Sequence, residues 1–335
     1  MNKLIRLVVL GVLSCGLSCM VACNGNSVMA SHDSLDMRLL GTAETARYAA
    51  GVEVVGGVAY VADFGALEIF DIRDPMNPIK VGALPLEGSA HEVRVVGGTA
   101  FIAGGLGGLQ IVDVREPGSP RLIGEFAELR EVKGVAVVGT TAYVSGFGGL
   151  MVLDVTELSQ PKLVDEFSTS VEAPYVEVVG TTAYLANRRL GLLMFDVTDP
   201  SDLKHVGTFD SAGESFGVKV LGTTAYVADK HSGLQIVDVS NPALPVLLGS
   251  IDTPGFSMNV DVVGTRAYVA GVKSGVHVID VSDSAHPVLL GSYDTPGGAF
   301  DVSVIDRIAY VADSKEGLQI LDTRKSSFLY SSIVP

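Results

Sequence analysis

The stretch from Gly222 to Pro254 reads GTTAYVADKHSGLQIVDVSNPALPVLLGSIDTP, and recognisable copies of it follow one another along the chain. An Ala-Tyr pair, replaced by Ala-Phe in one copy, is the clearest marker and recurs at steps of 41 or 42 residues. The pairs are Ala59-Tyr60, Ala100-Phe101, Ala142-Tyr143, Ala183-Tyr184, Ala225-Tyr226, Ala267-Tyr268 and Ala309-Tyr310. Self-similarity at this period is typical of repeat architectures, so the sequence predicts seven copies of one structural unit.

Each copy divides into four short apolar runs separated by turn residues. In the quoted copy the runs are Val218 to Leu221, Ala225 to Asp229, Leu234 to Val239 and Val246 to Ile251. β-Branched and aromatic residues dominate the runs, and no run has the three-and-four spacing of a helix. The pattern therefore predicts four β-strands per copy and almost no helix.

The second and third runs of each copy are almost continuously apolar, which indicates strands that are buried on both faces. A ring of four-stranded blades buries them in this way, because every blade lies between two neighbours. A linear solenoid is the alternative, but it would leave two exposed ends without obvious capping repeats. The sequence predicts an all-β fold, a seven-bladed β-propeller of four-stranded antiparallel blades.

The last copy lacks its fourth run after Asp322. Leu39 to Thr42, which precedes the first full copy, matches the fourth run of the later copies, as in Leu247 to Ser250. We expect this N-terminal strand to complete the last blade and close the ring. Phe328 to Ile333 also resembles an outer strand, and the sequence does not decide between the two.

Residues 1 to 22 have the pattern of a signal peptide, with Lys3 and Arg6 before an apolar stretch. Met20 to Cys23 resembles the lipobox of bacterial lipoproteins, and the resemblance implies lipidation at Cys23. Residues 23 to 36 are predicted to be a flexible tether, and residues 37 to 335 to be a single propeller domain. The absence of aspartate after Cys23 implies, by the same resemblance, an outer-membrane or cell-surface location outside the cytoplasm.

The predicted mature chain is strongly acidic. Without Lys3 and Arg6 it has 21 basic and 38 acidic residues, a net charge of −17. Such a surface repels nucleic acid and anionic headgroups, so we expect no nucleic-acid partner and a membrane link through the lipid anchor alone.

The runs Leu109 to Asp113, Leu234 to Asp238 and Leu318 to Asp322, which read LQIVD or LQILD, resemble the LVIVD repeat of bacterial surface and secreted proteins. The resemblance covers about residues 38 to 324 and implies the propeller fold, but it implies no common activity. The chain has no tryptophan, so it lacks the Trp-Asp ending of WD40 blades.

Two sets of loops should lie at one end of the ring: those joining consecutive blades and those joining the second and third strands of a blade. They carry charged and aromatic residues that do not repeat, and we predict a recognition surface around this channel mouth. The candidate ligand-binding residues are Arg47, Tyr48, Asp63, His91, Glu92, Arg130, Glu131, Lys133, Glu172, Tyr175, Asn187, Arg188, Arg189, Glu214, Asp229, His231, Asn259, Lys273, Asp301 and Asp313. We expect Phe216, Phe256 and Phe300 to pack between blades instead.

An aspartate closes the third run of every copy, at Asp71, Asp113, Asp154, Asp196, Asp238, Asp280 and Asp322. These side chains are predicted to accept backbone N–H groups in the following turn, and not to form a ring of calcium ligands.

The sequence has no His-Glu-x-x-His, Cys-x-x-Cys, P-loop or Gly-x-Ser-x-Gly motif. The leading hypothesis is a binding platform for a protein or glycan ligand, without catalytic residues or a cofactor. One alternative is a calcium-dependent, lactonase-like hydrolase that uses the mouth carboxylates with His91 or His231. Another alternative is a structural protein of the cell envelope.

Overall fold

In the computed structural model, residues 35–127 and 131–324 are described. The predicted signal peptide, Cys23, most of the tether, Arg130 and the competing C-terminal strand lie outside the described residues. In the described ranges all regular secondary structure is β-strand. No helix in this part of the chain is long and apolar enough to cross a membrane.

The described strands form seven four-stranded antiparallel sheets, which are the blades. Blade 1 contains β2 (Ala49–Val55), β3 (Val58–Asp63), β4 (Ala66–Asp71) and β5 (Ile79–Pro85); blade 2 contains β6 (Glu92–Val96), β7 (Thr99–Ala103), β8 (Leu109–Asp113) and β9 (Arg121–Phe126); blade 3 contains β10 (Val132–Val138), β11 (Thr141–Gly146), β12 (Gly149–Asp154) and β13 (Lys162–Ser168). Blade 4 contains β14 (Tyr175–Val179), β15 (Thr182–Asn187), β16 (Gly191–Asp196) and β17 (Lys204–Phe209); blade 5 contains β18 (Gly217–Leu221), β19 (Thr224–Ala228), β20 (Leu234–Asp238) and β21 (Val246–Ile251). Blade 6 contains β22 (Asn259–Val263), β23 (Arg266–Ala270), β24 (Val276–Asp280) and β25 (Val288–Tyr293); blade 7 contains β26 (Asp301–Ile305), β27 (Ile308–Ala312), β28 (Leu318–Asp322) and β1 (Arg38–Ala43). This arrangement confirms the predicted seven-bladed propeller.

The hydrophobic core is divided among the junctions between blades. Each of the seven apolar clusters draws buried residues from two neighbouring blades. The cluster at the closing junction, for example, contains Tyr310 and Ala312 from blade 7 and Val52 and Val61 from blade 1. The innermost strand of blade 7 also contacts that of blade 1. The solenoid alternative is therefore wrong, because the ring is closed.

The N-terminal strand β1 completes blade 7 by pairing antiparallel with β28, with Arg38 opposite Asp322 and Ala43 opposite Leu318. This confirms the prediction made from Leu39 to Thr42. Arg38 also forms an ion pair with Asp322 at 3.1 Å. The last blade is thus held by residues from both ends of the described chain.

A glycine in the outer strand of most blades lets the turn between strands three and four of the next blade approach closely. A Cβ added at Gly82 would lie 2.0 Å from the carbonyl oxygen of Pro117. At the junction of blades 6 and 7 the equivalent Gly291 faces Leu35, and the Leu35 N–H donates to the Leu290 carbonyl at 2.7 Å. The segment before β1 therefore takes the place of the turn that the last repeat lacks.

The strand-end aspartates behave as predicted. Each of the seven accepts a hydrogen bond from the backbone N–H two residues later, at 2.8 to 3.1 Å. They lie at the end of the ring opposite the channel mouth, because the third strand runs away from the mouth. Their role in turn formation is confirmed.

Candidate functional site

The two predicted sets of loops lie at the same end of the ring, which is the channel mouth. In every blade a backbone hydrogen bond joins the inter-blade loop to the end of the second strand or the loop that follows it. The bonds are Phe64 N to Tyr48 O, His91 N to Ala103 O, Phe147 N to Glu131 O, Arg188 N to Glu172 O, Phe216 N to Ala228 O, Met258 N to Ala270 O and Phe300 N to Ala312 O, at 2.8 to 3.2 Å. This repeated bond fixes the height of the variable side chains around the mouth.

Four predicted site residues lie beneath these loops and hold them in place. Asp63, Asn187, Asp229 and Asp313 stand at equivalent positions, at or just after the end of the second strand, and all are fully buried. Asp313 accepts hydrogen bonds from the Gly297 N–H at 2.9 Å and from the Thr295 hydroxyl at 2.5 Å. Burial raises the pKa of Asp313 and of Asp63. These groups position the inter-blade loops, because their oxygens face backbone and hydroxyl donors in the loops.

One side of the mouth is an arc of touching rings. The Tyr48 ring lies 5.4 Å from the Phe300 ring and 5.1 Å from the Phe64 ring, measured between centroids. Phe64 in turn meets the imidazole of His91 edge-on at 5.0 Å. Such contacts favour a fixed geometry, so the arc presents a rigid aromatic surface.

His91 is neutral in this arc. The Lys133 ammonium lies 2.9 Å from Nε2 of His91 and 2.5 Å from Oε1 of Glu131. Burial, together with the positive charge of Lys133, lowers the pKa of His91 to about 4. The imidazole therefore accepts a hydrogen bond from Lys133 at neutral pH, and it acts as a member of the aromatic wall.

The opposite side of the mouth is an alternating chain of charges. Arg188 binds Glu172 at 2.8 Å and Glu214 at 2.8 Å, and Lys230 binds the other oxygen of Glu214 at 2.7 Å. The Arg188 guanidinium also lies over the Phe216 ring at 5.2 Å. Each of these four charged side chains has a partner of the opposite sign, which leaves this side of the rim polar but close to neutral.

Between the two sides is a cavity of about 290 Å³. Its lining residues are Tyr48, Ala50, Phe64, His91, Glu92, Lys133, Glu172, Pro174, Tyr175, Phe216, Met258, Asn259, Phe300 and Asp301. Most of these side chains are aromatic or apolar, and the polar groups lie on the floor and at the rim.

The floor of the cavity is built around Arg94, which extends from the innermost strand of blade 2. Its guanidinium contacts the Glu92 carboxylate at 2.5 Å and donates to the Tyr175 hydroxyl. Burial raises the pKa of Glu92 to about 8, although Arg94 opposes this shift. Asp301, also buried on the floor, has its pKa raised by burial. Several carboxyl groups thus surround one partly buried cation, and Glu92 is not fully ionised at neutral pH.

The buried carboxylates of the channel wall bind backbone N–H groups of the next blade. Glu92 accepts from Val135 at 2.9 Å, and Asp301 accepts from Val52 at 2.8 Å. The pairs Glu177 with Val220, Asp261 with Val304 and Glu53 with Val95 repeat the arrangement. The innermost strand is a sheet edge with unpaired N–H donors, so these side chains satisfy groups that would otherwise be buried without a partner.

Below the floor lies a second cavity of about 230 Å³, here called the lower chamber. Its charged residues are Glu53, Arg94, Glu177, Lys219, Asp261 and Asp301. Five of these residues occupy one equivalent position of the innermost strands, opposite the aromatic residue of the Ala-Tyr or Ala-Phe pair. In the seven blades this position is occupied by Glu53, Arg94, Ala136, Glu177, Lys219, Asp261 and Ser303. This set was not predicted from the sequence, although an alignment of the repeats shows a charged residue at this position in five of the seven innermost strands.

The predicted site residues divide into three groups. Those that line the mouth cavity are Tyr48, His91, Glu92, Lys133, Glu172, Tyr175, Asn259 and Asp301. Those at the rim are Arg47, Glu131, Arg188, Arg189, Glu214, His231 and Lys273, and those buried beneath the loops are Asp63, Asn187, Asp229 and Asp313. Arg130 lies outside the described residues.

The three phenylalanines expected to pack between blades lie instead at the mouth. Phe216 and Phe300 line the cavity, and Phe256 is 37% exposed and meets His231 edge-on at 4.5 Å. The buried place in each of these loops is taken by a small neighbour, as in Ala299, which is fully buried. Since successive side chains of an extended segment point to opposite sides, the adjacent ring faces the mouth.

In residues 35–127 and 131–324 no group of three or more histidine, cysteine, aspartate or glutamate side chains is arranged to hold a metal ion. The carboxylates of the floor instead face the guanidinium of Arg94 and backbone N–H groups. The calcium site stays a prediction.

The LVIVD repeat family matches the chain over seven segments, residues 46–84, 87–128, 130–169, 172–211, 212–253, 254–295 and 296–327. Two solved structures are similar. The WD40 domain of Pan2 from Neurospora crassa has a TM-score of 0.68 and 13% identity, and the match covers 88% of this chain and 97% of that chain. The computationally designed Ika8 protein has a TM-score of 0.64 and 8% identity, covering 86% of this chain and 100% of that chain. Both likenesses show the fold alone. No curated protein matches the chain.

Proposed function

The chain belongs to the LVIVD repeat family, and on that premise we propose that it is a binding platform that recognises a protein partner through the channel mouth, without chemistry of its own. The observation that carries the proposal is the aromatic cavity of about 290 Å³ enclosed by a rim of paired charges. This is the anatomy of a protein interface, with a desolvated aromatic centre and a polar border.

The cavity suits an apolar side chain from the partner. Tyr48, Phe64, Phe216 and Phe300 form its walls, and the ring contacts between Tyr48, Phe64 and Phe300 keep it open. A rigid pocket of this kind loses little conformational entropy when it is filled. We therefore expect the partner to insert an aliphatic or aromatic residue as its anchor.

The charges of the rim favour a protein over a glycan. Arg188, Lys230 and Lys133 already bind carboxylates, so their donors are engaged before a ligand arrives. Sugar hydroxyls would have to displace these ion pairs, whereas the charged border of a protein can extend the alternating chain. A glycan ligand is the alternative that the experiment below must detect.

The course of the chain supports a surface role. The described chain begins beside the turns at the end of the ring opposite the mouth, where Arg38 contacts Asp322. Met20 to Cys23, which precede this end of the described chain in the sequence, resemble the lipobox of bacterial lipoproteins. We propose on this basis that the platform is lipid-anchored outside the cytoplasm, at the outer membrane or cell surface.

The test is site-specific photocrosslinking in the producing cells. A photoreactive residue replaces Phe256 at the mouth or, as the control, Leu163, which is 46% exposed on the outer strand of blade 3. The proposal predicts a protein adduct from the mouth position that is lost when Arg188→Glu is added. A shift to carbohydrate adducts, or equal protein adducts from both positions, would reject it.

A further inference from the structure

The end of the channel opposite the mouth is surrounded by seven exposed aliphatic side chains, here called the collar. They are Val55, Val96, Val138, Val179, Leu221, Val263 and Ile305, each the last residue of an innermost strand. Each is between 37% and 47% exposed. A ring of exposed apolar side chains around a channel opening is a candidate interaction site.

The collar is continuous with the lower chamber. Each collar residue follows by two positions a residue of the chamber set, so both point to the same side of the strand. Val138 itself lines the chamber. A ligand that enters the channel from this end therefore contacts the aliphatic collar first and then the charged lower chamber.

The recess has an excess of negative charge. Arg94 is directed to Glu92 and Tyr175 on the floor, which leaves Lys219 as the cation nearest to Glu177 at 3.4 Å and Asp261 at 3.8 Å. Glu53 adds a third carboxyl group. With Arg94 and Asp301, which also line the chamber, the balance is four acids against two bases.

The turns that surround the collar are also acidic. Their exposed acidic residues are Asp74, Glu116, Glu157, Asp199, Asp202, Asp283 and Asp306. Of the exposed cations at this end, Arg73, Arg115 and Arg324 form ion pairs with strand-end aspartates, and Lys204 pairs with Asp202. The field at this end is thus negative both inside and outside the apolar ring.

We propose that the collar is a second docking surface, separate from the mouth, for a protein segment that carries lysine or arginine beside aliphatic residues. The aliphatic side chains pack on the collar, and the cationic side chain reaches into the lower chamber. Charge complementarity selects this occupant. A second copy of the chain would bring two acidic ends together, and an anionic lipid surface would meet the same repulsion.

The carboxyl groups of the lower chamber make this mode of binding depend on pH. Burial raises the pKa of Glu53 and of Glu177, although the neighbouring cations Arg94 and Lys219 oppose the shift. A cation placed between these carboxyl groups stabilises their ionised form, so binding releases protons and becomes tighter as the pH rises. Binding that is purely apolar shows no such dependence.

The experiment selects short random peptides displayed on phage against the full chain carrying Arg188→Glu, which removes the proposed mouth site, and measures labelled synthetic copies of the selected peptides by fluorescence anisotropy. Val179→Lys places a like charge on the collar, and Phe147→Lys makes the same change at the mouth, where Phe147 is 44% exposed. We expect selected peptides rich in lysine or arginine with aliphatic neighbours. Their affinity should fall at least about tenfold in Val179→Lys and stay unchanged in Phe147→Lys.

Each other outcome overturns the proposal. Peptides without basic residues, or equal affinity for both variants, would show that the collar does not select a cationic segment. Sedimentation with vesicles of phosphatidylcholine and phosphatidylglycerol, abolished by Val179→Asp, would make it a lipid surface. A dimer that Val179→Lys dissociates would make it a self-association surface. Because Arg188→Glu at the mouth leaves the collar intact, failure here is distinguishable from failure of the proposed function.

Discussion

The carboxylate of Asp301 in blade 7 accepts a hydrogen bond at 2.8 Å from the backbone N–H of Val52 in blade 1. The two residues are 249 positions apart in the sequence, and the bond lies at the junction where the ring closes. Asp301 also accepts from the Asn259 side chain, so one buried carboxyl group connects three blades. It is part of both the channel floor and the closure of the ring.

Replacement of Asp301 by alanine should destabilise the fold by about 2 to 4 kcal/mol, because it leaves a buried backbone N–H and a buried amide without a partner. Asp301→Asn retains an acceptor and should cost less. Glu116→Ala, at an exposed turn, is the control and should change stability by less than about 0.5 kcal/mol. Denaturant unfolding measures all three. Equal stability of Asp301→Ala and the control would show that the closing bond contributes nothing.

Stability should fall as the pH rises from 6.5 to about 8. Burial raises the pKa of Glu92 to about 8 and raises those of Glu53, Glu177 and Asp301. In this window the unfolded chain has lost the Glu92 proton while the folded chain retains part of it, so unfolding releases a proton and becomes easier with rising pH. One such group contributes at most about 1.4 kcal/mol per pH unit.

The buried histidines act in the opposite direction below pH 6.5, where they oppose the Glu92 contribution, which begins near pH 4.5. The pKa of His91 is lowered to about 4 and that of His277 is lowered as well, so their neutral forms favour the folded state and stability is lost as the pH falls below 6.5. Urea unfolding at several pH values measures the free energy of unfolding below and above pH 6.5. Glu92→Gln should weaken its fall between pH 6.5 and 8. A wild-type stability that rises in that range would contradict the raised pKa of Glu92.

Gly82→Ala should destabilise the junction between blades 1 and 2. The added methyl group would lie 2.0 Å from the Pro117 carbonyl oxygen, so the backbone of one blade must move. Strain of this kind costs about 1 to 3 kcal/mol. The matched control is Gly118→Ala, where the nearest atom would be at 3.5 Å. Thermal unfolding should separate the two variants, and similar midpoints would disprove the close-packing role of Gly82.

The calcium-dependent hydrolase predicts a bound ion, whereas the binding platform predicts none. Elemental analysis of the full chain, after calcium is added and then removed by dialysis, distinguishes them. We expect less than about one tenth of an equivalent, because the floor carboxylates face Arg94 and backbone N–H groups. A stoichiometric ion that is lost in Glu92→Gln would favour the calcium-dependent hydrolase over the binding platform.

The sequence was sufficient to predict the architecture. The strand-end aspartates and the Ala-Tyr pairs repeat because every blade needs the same turn and the same buried strand. Leu39 to Thr42 was identifiable as the closing strand since it matches the outer strands of other copies. The position of Leu35 in place of a missing turn was not predictable, because it depends on packing against Gly291 in the neighbouring blade.

The site was less accessible to sequence reasoning. Asp63, Asp229 and Asp313 were predicted to contact ligand because they are charged and lie in variable loops, but they are fully buried anchors. Arg94 was missed because its direction depends on the register of the innermost strand. The sequence shows that side chains alternate along a strand. Which of the two alternating sets faces the channel could not be predicted, because it depends on the position of the neighbouring blades.

The central claim is that the mouth cavity holds the anchor of a protein partner, and affinity measures it most directly. The partner recovered through the photoreactive residue at position 256 is titrated with wild-type chain, Phe216→Ala and Leu244→Ala. The Kd should be at least about tenfold weaker for Phe216→Ala and nearly unchanged for Leu244→Ala. Equal affinity of the wild-type chain and Phe216→Ala would contradict it.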